Sequence, residues 1–363
     1  MSAPLTVLFA PDSFKGSLTA VEVARALAAG WARARPDDTV LLSPLADGGE
    51  GTLAAIEAAG DWAWQEAPAH DPIGRPLTAR WLRSTDGRRA VVELAEASGL
   101  SRLAADERDP LGATTFGTGE VIRAAVAAGV QSIAIGIGGS ATNDGGRGML
   151  EAIGSGPGID ESLAAIDVEV ACDVANPLLG PTGAAATYGP QKGATPEQVE
   201  QLDARLATWA DELEAATGRR ERETPGAGAA GGVGFALLCA RDRFGSFALR
   251  RGVELVMEAT GFTDKLARAD LVITGEGQID AQTAFGKTAL GVARRASNAG
   301  VACVAVGGGV TPEGIAALAP IGTVAVPVSE LPQSVEAAMA AGTAPVERCG
   351  ERIALLASIL TER

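Results

Sequence analysis

The chain has 363 residues, 47% apolar and 21% charged, enough for a large core in about two domains and too apolar for a disordered chain. A formal net charge of −15 argues against nucleic acid or an anionic membrane as partner, but leaves room for a small anionic substrate at a locally positive site. No run reaches the ~18 apolar residues of a membrane helix, and the opening MSAPLTVLFAPDSF lacks the basic region of a signal peptide, so a cytoplasmic protein is expected.

Thr6–Ala10 reads as a buried strand, and a helix is predicted from about Ala20, where Thr19 and Glu22 make a capping box. Between them DSFKGS (12–17) carries Asp12, Ser13 and Lys15. Thr39–Leu45 is a second predicted strand, followed by DGGEGT (47–52), with Asp47 and Glu50, and by the helical run LAAIEAA. Strand, loop and helix repeated in this order are the signature of a parallel sheet.

The middle reads differently. DPIGRP (71–76) is a turn whose Arg75 either forks onto a carboxylate or stays solvated. The single histidine, His70, precedes it and is expected at the surface, which leaves acid–base work to carboxylates or lysine. Leu77–Arg83 and Arg89–Ala95 flank Asp86-Gly87, an antiparallel hairpin signal. The apolar run Ile133–Ile137 leads into GIGGSATNDGG (136–146), five glycines in eleven residues. That loop admits three readings: a dinucleotide fingerprint, a phosphate cradle, or a tight turn. Gly136-x-Gly138-x-x-Ala141 meets the fingerprint only in part. As a cradle, Gly138, Gly139, Ser140 and Thr142 offer N–H or hydroxyl donors, and Asn143 and Asp144 reach toward a metal-bound water. Val168–Cys172 is strand-like and precedes Asp173 and Asn176; Glu197–Ala216 is predicted helical, and PGAGAAGGVG (225–234) opens another helix.

The opening grammar returns near the end. Asp270–Thr274 is a predicted strand ending in GEGQID (275–280), which holds Gly275, Glu276, Gly277 and Asp280. FGKT (285–288) ends like a phosphate loop, but Ala281 stands where the full pattern needs glycine; a helix is predicted from about Lys287. Val301–Val306 and Ile321–Val326 are further strands, the first ending in GGG, and the tail alternates as helices. The two ends together supply five strand–helix units. They fit a flavodoxin-like α/β domain built from 1–61 and 267–363, with a second α/β domain, 62–266, inserted into it. A ligand is expected in the cleft between the two.

Rare residues sharpen the chemistry. Against 26 arginines there are four lysines, and three of them, Lys15, Lys192 and Lys287, sit beside glycine, where a compact ammonium suits a phosphate. Loops bearing Asp47, Glu50, Glu276 and Asp280 bring carboxylates to the same sheet edge, the combination that metal-assisted phosphoryl transfer requires. Cys172, Cys239, Cys303 and Cys349 form no CxxC pair and are expected as reduced thiols rather than a disulfide framework or a zinc site.

In order, APDSFKGSLTA, LADGGEGT, DPIGRP, ATTFGTGE, GIGGSATNDGG, ACDVANPLLGP, GPQKGA, PGAGAAGGVG and TGEGQIDAQTAFGK resemble the type 1 glycerate kinase family, over about residues 6–307. The resemblance implies ATP-dependent, Mg2+-assisted phosphorylation of D-glycerate, usually at the 2-hydroxyl in bacterial members. It also implies a flavodoxin-like domain split across both chain ends and an inserted domain of restriction-enzyme-like topology. Partners would be D-glycerate and ATP, with no nucleic acid or membrane, in a monomer or homodimer. Under this reading Asp280 first, and Asp47 second, orients the attacking hydroxyl, with Lys15 and Lys287 beside the phosphates. Ser13, Gly138, Gly139, Ser140, Thr142, Asn143, Gly275 and Gly277 hold ATP; Arg75, Lys192 and Gln282 meet the substrate; Asp47, Glu50, Glu276 and Asp144 supply metal ligands. Two features depart from the family pattern. Gln278 stands where the family often has Arg, which bears on a substrate or phosphate contact there, and GSGPGIDESLAAIDVE (154–169) is shorter than the usual segment. The alternatives are the 3-hydroxyl or another small hydroxy acid as acceptor, and a ligand sensor without chemistry, which the missing basic helix disfavours.

Overall fold

The computed structural model describes residues 3–154, 162–281, 283, 288–331 and 333–361. Its strands are β1 (Thr6–Pro11), β2 (Thr39–Leu42), β3 (Trp62–His70), β4 (Pro76–Ser84), β5 (Arg89–Glu93), β6 (Ser132–Gly136), β7 (Asp167–Ala171), β8 (Ser246–Arg250), β9 (Leu271–Ile279), β10 (Ala302–Val310) and β11 (Thr323–Pro327). The chain forms two units: Met1–Ala46, Ala54–Gly60 and Val256–Arg363 make one, and Asp47–Leu53 with Asp61–Leu255 make the other.

The first unit is a parallel sheet in the order β2-β1-β9-β10-β11. Numbered within the unit this is 2-1-3-4-5, the flavodoxin order, whose switch point lies between β1 and β9. The central strands are apolar on both faces, as helix-covered parallel strands must be. The helix Ala20–Ala34 begins as its capping box dictates. The Glu22 N–H donates to Thr19 Oγ1 at 3.2 Å, and the Thr19 N–H donates to the Glu22 carboxylate at 2.8 Å. Val23, Leu27 and Trp31 share its buried face, with Trp31 edge-on to Phe9 at 6.2 Å. Its other close neighbour is the helix Ala344–Thr361. Gly30 faces the Glu347 carbonyl and Gly350 faces the Leu27 carbonyl, so both backbones come nearer than a methyl group would allow.

Three strand ends differ from the sequence expectation. β2 stops at Leu42 rather than Leu45. β9 continues to Ile279 and β10 to Val310, so GEGQI and GGG are strand rather than loop. Their pairing carries on through the glycines, with Gly307 opposite Glu276 and Gly309 opposite Gln278. Glycine is required there because the strands crowd: a Cβ on Gly308 would sit 2.7 Å from the Gly277 carbonyl oxygen.

The second unit is a mixed sheet in chain order, β3-β4-β5-β6-β7-β8. β3, β4 and β5 are antiparallel; β5 through β8 are parallel. The predicted β4–β5 hairpin forms. Gly87 takes φ +74° and Asp86 accepts the Arg88 N–H at 3.0 Å. Two strands were not expected. β3 carries Pro68 and charged residues, which an edge strand tolerates. β8 is a short strand at the other edge. The architecture is the α/β class expected, a flavodoxin-ordered parallel sheet and a second, mixed α/β sheet. Among the described residues no helix is long and apolar enough to cross a membrane.

Candidate active site

In the second unit the loop after β6 is built by close backbone approach. A side chain on Gly136 would meet the Gly48 carbonyl, and one on Gly138 would meet Gly49 Cα. The Gly138 N–H donates to the Gly48 carbonyl at 3.3 Å. Gly139 turns the chain at φ +72°, and its carbonyl accepts the Leu100 N–H at 2.8 Å. Ala141 donates to the Ser98 carbonyl at 2.9 Å. The next two residues are different. Thr142 and Asn143 are buried, yet among the described residues their backbone N–H groups have no protein acceptor. Thr142 Oγ1 and both amide atoms of the Asn143 side chain are likewise buried without a partner. Each such group costs about 1–3 kcal/mol unless something fills it. Unfilled donors at the carboxyl end of a parallel strand suit an anion.

Beneath this loop lies Lys192, delivered by the short turn Pro190–Lys192 that Gly193 closes at φ +95°. It is 2% exposed, and its Nζ donates to Ser140 Oγ at 2.8 Å and to the Thr142 carbonyl at 2.6 Å. Burial lowers its pKa to about 7, with Asp144 opposing the shift. Lys192, expected at a substrate carboxylate, thus bonds the loop after β6, about 50 residues away along the chain. Asp144, expected as a metal ligand, accepts backbone amides and a hydroxyl of nearby residues. Its Oδ2 accepts the Thr115 N–H at 2.8 Å, Thr115 Oγ1 at 2.7 Å and the Gly148 N–H at 3.2 Å, while Oδ1 accepts the Gly146 N–H at 3.0 Å. It ties together the starts of the helices Phe116–Ala127 and Arg147–Gly154. Arg75, expected at the substrate, is paired with carboxylates beside the β3–β4 turn. It donates to Asp71 and to Glu107, the latter at 2.6 Å, and Asp71 in turn accepts the Ile73 and Arg75 N–H groups across the β3–β4 turn.

Asp47 and Glu50 are exposed, with Asp47 Oδ1 accepting the Gly49 N–H at 3.1 Å. Asp173, just past β7, accepts the Gly252 N–H at 3.2 Å on either oxygen. Partial desolvation raises its pKa; the Gly252 amide opposes this and the Asp47 carboxylate adds to it. Glu93, the last residue of β5, was not anticipated. It is 4% exposed and receives the Gly51 and Leu53 N–H groups, each at 3.2 Å. Burial pushes its carboxyl up to about 7, helped by the charges of Glu96 and Glu50. The available signal was an acid closing the buried run AVVE, a place where a carboxylate needs partners or a task.

In the first unit the candidates gather at the ends of β1 and β9. The Asp12 N–H donates to the Gly275 carbonyl at 2.8 Å, and its Oδ2 accepts Thr288 Oγ1 at 2.6 Å. Ser13 follows, its N–H donating to Asp12 Oδ1 at 2.6 Å, and Lys15 is exposed in a turn closed by Gly16 at φ +80°. Glu276 is buried and accepts Thr283 Oγ1 at 2.7 Å, while the Asp280 N–H donates to that same hydroxyl at 3.1 Å. Thr283 thus links the two carboxylate residues. Gly275 and Gly277 are corrected as loop glycines: they are strand residues, packed against Val306 and against the Phe14–Lys15 backbone. Gln278 is exposed opposite Gly309. Gln282, Lys287 and most of the shortened segment after Gly154 lie outside the described residues. Among the described residues no three His, Cys, Asp or Glu side chains stand together as a metal cage. Mg2+ typically takes one or two carboxylates and completes its shell with phosphates and water, so single exposed carboxylates such as Asp47 fit an ion that arrives with a nucleotide.

A parallel strand ending in a glycine loop, with buried amides that lack an acceptor among the described residues, is the mark of an α/β protein that binds anionic ligands. The model of the Glycerate kinase family matches residues 7–157 and 155–358. A glycerate kinase from Bacillus subtilis (strain 168) is 44% identical over 331 residues, covering 85% of this chain and 86% of its own. A glycerate 2-kinase from Escherichia coli (strain K12) is 40% identical over 331 residues, covering 85% and 86%. A solved structure assigned as glycerate kinase 2 from Salmonella typhimurium LT2 superposes with a TM-score of 0.84 at 39% identity, covering 99% of this chain and all of that one. The chain belongs to the glycerate kinase family, and it is a kinase.

Proposed function

We propose that this kinase transfers the terminal phosphoryl group of ATP to the 2-hydroxyl of D-glycerate, giving 2-phosphoglycerate and ADP. The observation that carries the reading is the buried Thr142–Asn143 pair, whose N–H donors have no acceptor among the described residues and suit phosphate or carboxylate oxygens. The 40% identity to a glycerate 2-kinase favours the 2-hydroxyl over the 3-hydroxyl or another hydroxy acid.

In this reading Gly139, Ser140, Thr142 and Asn143 hold anionic oxygens of the ligands, as do Ser13 and the Lys15 ammonium at the end of β1, and Lys287 by resemblance, while Gly138, whose N–H donates to the Gly48 carbonyl, shapes the loop behind them. Asp280 orients the glycerate hydroxyl and takes up its proton as the new O–P bond forms and the bond to ADP breaks. Asp47 and Glu50 are the exposed carboxylates that would hold Mg2+ accompanying the nucleotide; when bound, the ion neutralises phosphate charge. The enzyme works in the cytoplasm as a monomer or homodimer.

Incubation with D-glycerate and ATP, followed by phosphorus NMR, tests the assignment. 2-Phosphoglycerate is expected; 3-phosphoglycerate would overturn the choice of hydroxyl, and ADP release indifferent to glycerate would overturn the activity. Asp280→Asn should lower kcat by about 10²-fold or more with ATP affinity little changed. Near-normal kcat in that variant removes Asp280 from the role.

A further inference from the structure

Lys192 has an unusual position for a lysine in a kinase. It is enclosed, it donates to two uncharged oxygens of one loop, and Asp144 is the charged group that acts on it. That carboxylate is already saturated by donors from Thr115, Gly146 and Gly148, so the pair is no direct salt bridge. Among the described residues this ammonium has no ion-pair partner, and a methionine of similar reach would avoid the cost of burying it.

We propose that Lys192 is a positioning residue for phosphoryl transfer: through Ser140 Oγ and the Thr142 carbonyl its ammonium sets the direction of the Thr142–Asn143 peptide, so that the loop presents its N–H donors to an anionic ligand that Lys192 itself never touches. The inference rests on the reading of that loop as a ligand loop. Its geometry follows from the peptide bond. In a trans peptide the carbonyl of one residue and the N–H of the next point in opposite directions. Drawing the Thr142 carbonyl toward Lys192 at 2.6 Å therefore turns the Asn143 N–H away from it, and that N–H is one of the donors with no protein acceptor. Ser140 Oγ accepts from Lys192 at 2.8 Å, which leaves its own proton to donate on the ligand side. The protonated ammonium behind the loop also favours a bound anion. Because burial holds the ammonium near pH 7, an anion docking above that pH draws a proton onto Lys192.

Lys192→Met should raise the KM of the anionic substrate held by this loop by about 10- to 100-fold while kcat changes less than about fivefold, the pattern of a lost ground-state contact. Calorimetry with inorganic pyrophosphate and with D-glycerate as probes reads the same effect without turnover. One of the two should bind at least tenfold more weakly to the variant, and the proton uptake that accompanies its binding to the unaltered protein at pH 8 should be missing. Unchanged affinity for both probes would overturn the proposal, as would a loss confined to kcat. Failure of the unaltered protein to phosphorylate glycerate would sink the proposed function alone, since the binding experiment does not depend on it. If Lys192→Met does not fold, Lys192→Gln, which lacks the charge and cannot keep both bonds, decides: a severalfold rise in the same KM supports the positioning role, and unaltered KM values for both substrates refute it.

Discussion

Glu93 and Lys192 titrate in the same range for one reason, burial, and their effects on stability run in opposite directions. The Glu93 carboxyl is raised from 4.5 to about 7, so between those values the folded chain holds a proton that the unfolded chain has released, and stability falls as pH rises. Lys192 is lowered from 10.5 to about 7, so above pH 7 the unfolded chain holds the extra proton and stability climbs again toward 10.5. At ~1.4 kcal/mol for each tenfold change in proton affinity, either contribution is on the order of a few kcal/mol. Together they place a stability minimum near neutrality. Denaturant midpoints at pH 5.5, 7 and 9 should show it; Glu93→Gln should flatten the acid arm and Lys192→Met the alkaline arm. A single broad maximum at pH 7 in the unaltered protein would contradict the account. Neither residue's environment was legible from sequence. PQKGA marks a lysine in a turn, and AVVELA marks an acid after an apolar strand, but what encloses each comes from chain far away: Ser140 and Thr142 for one, Gly51 and Leu53 for the other. The partners of Arg75 and Asp144 were hidden for the same reason. Their partners, Glu107 and Thr115, lie about 30 residues away along the chain.

At the level of elements, local chemistry was legible wherever it decided the outcome. The Thr19–Glu22 box starts its helix, Asp86-Gly87 turns its hairpin, and five apolar runs become the five parallel strands of one sheet. Glycine was where reading failed. GEG and GGG resemble loops, yet they are strand because neighbouring backbone leaves no room for Cβ. The same crowding reverses the usual effect of glycine in a helix. Replacing a helix-interior glycine with alanine ordinarily stabilises by about 1 kcal/mol. Gly291, in the helix Thr288–Asn298, has among the described residues only the tip of Arg295 near its missing methyl, at 3.9 Å, so Gly291→Ala should raise Tm. Gly30 lies against the Glu347 carbonyl, so Gly30→Ala must push two helices apart and should destabilise by about 1–3 kcal/mol. Calorimetric scans of the two variants should show shifts of opposite sign; a higher Tm for Gly30→Ala would mean the helix contact is looser than described.

For the whole molecule, charge is the property that composition fixes most directly and that folding redistributes. A chain of net charge −15 repels anionic substrates at long range, and at ~0.01 M salt that repulsion extends about 30 Å, against about 10 Å at 0.1 M. The cation behind the proposed ligand loop behaves differently. Lys192 is buried, and charges out of contact with solvent are screened far less by salt. Raising ionic strength should therefore relieve the global repulsion while leaving the local attraction almost intact. With ATP and D-glycerate as substrates, kcat/KM should rise severalfold between about 10 and 100 mM monovalent salt and then level off rather than decline. In Lys192→Met the rise should persist from a lower starting value, because the repulsion belongs to the whole surface and the attraction to one enclosed ammonium. A steep fall with salt over the same interval would mean that exposed cations such as Lys15, and not the buried one, dominate the field that an incoming anion meets.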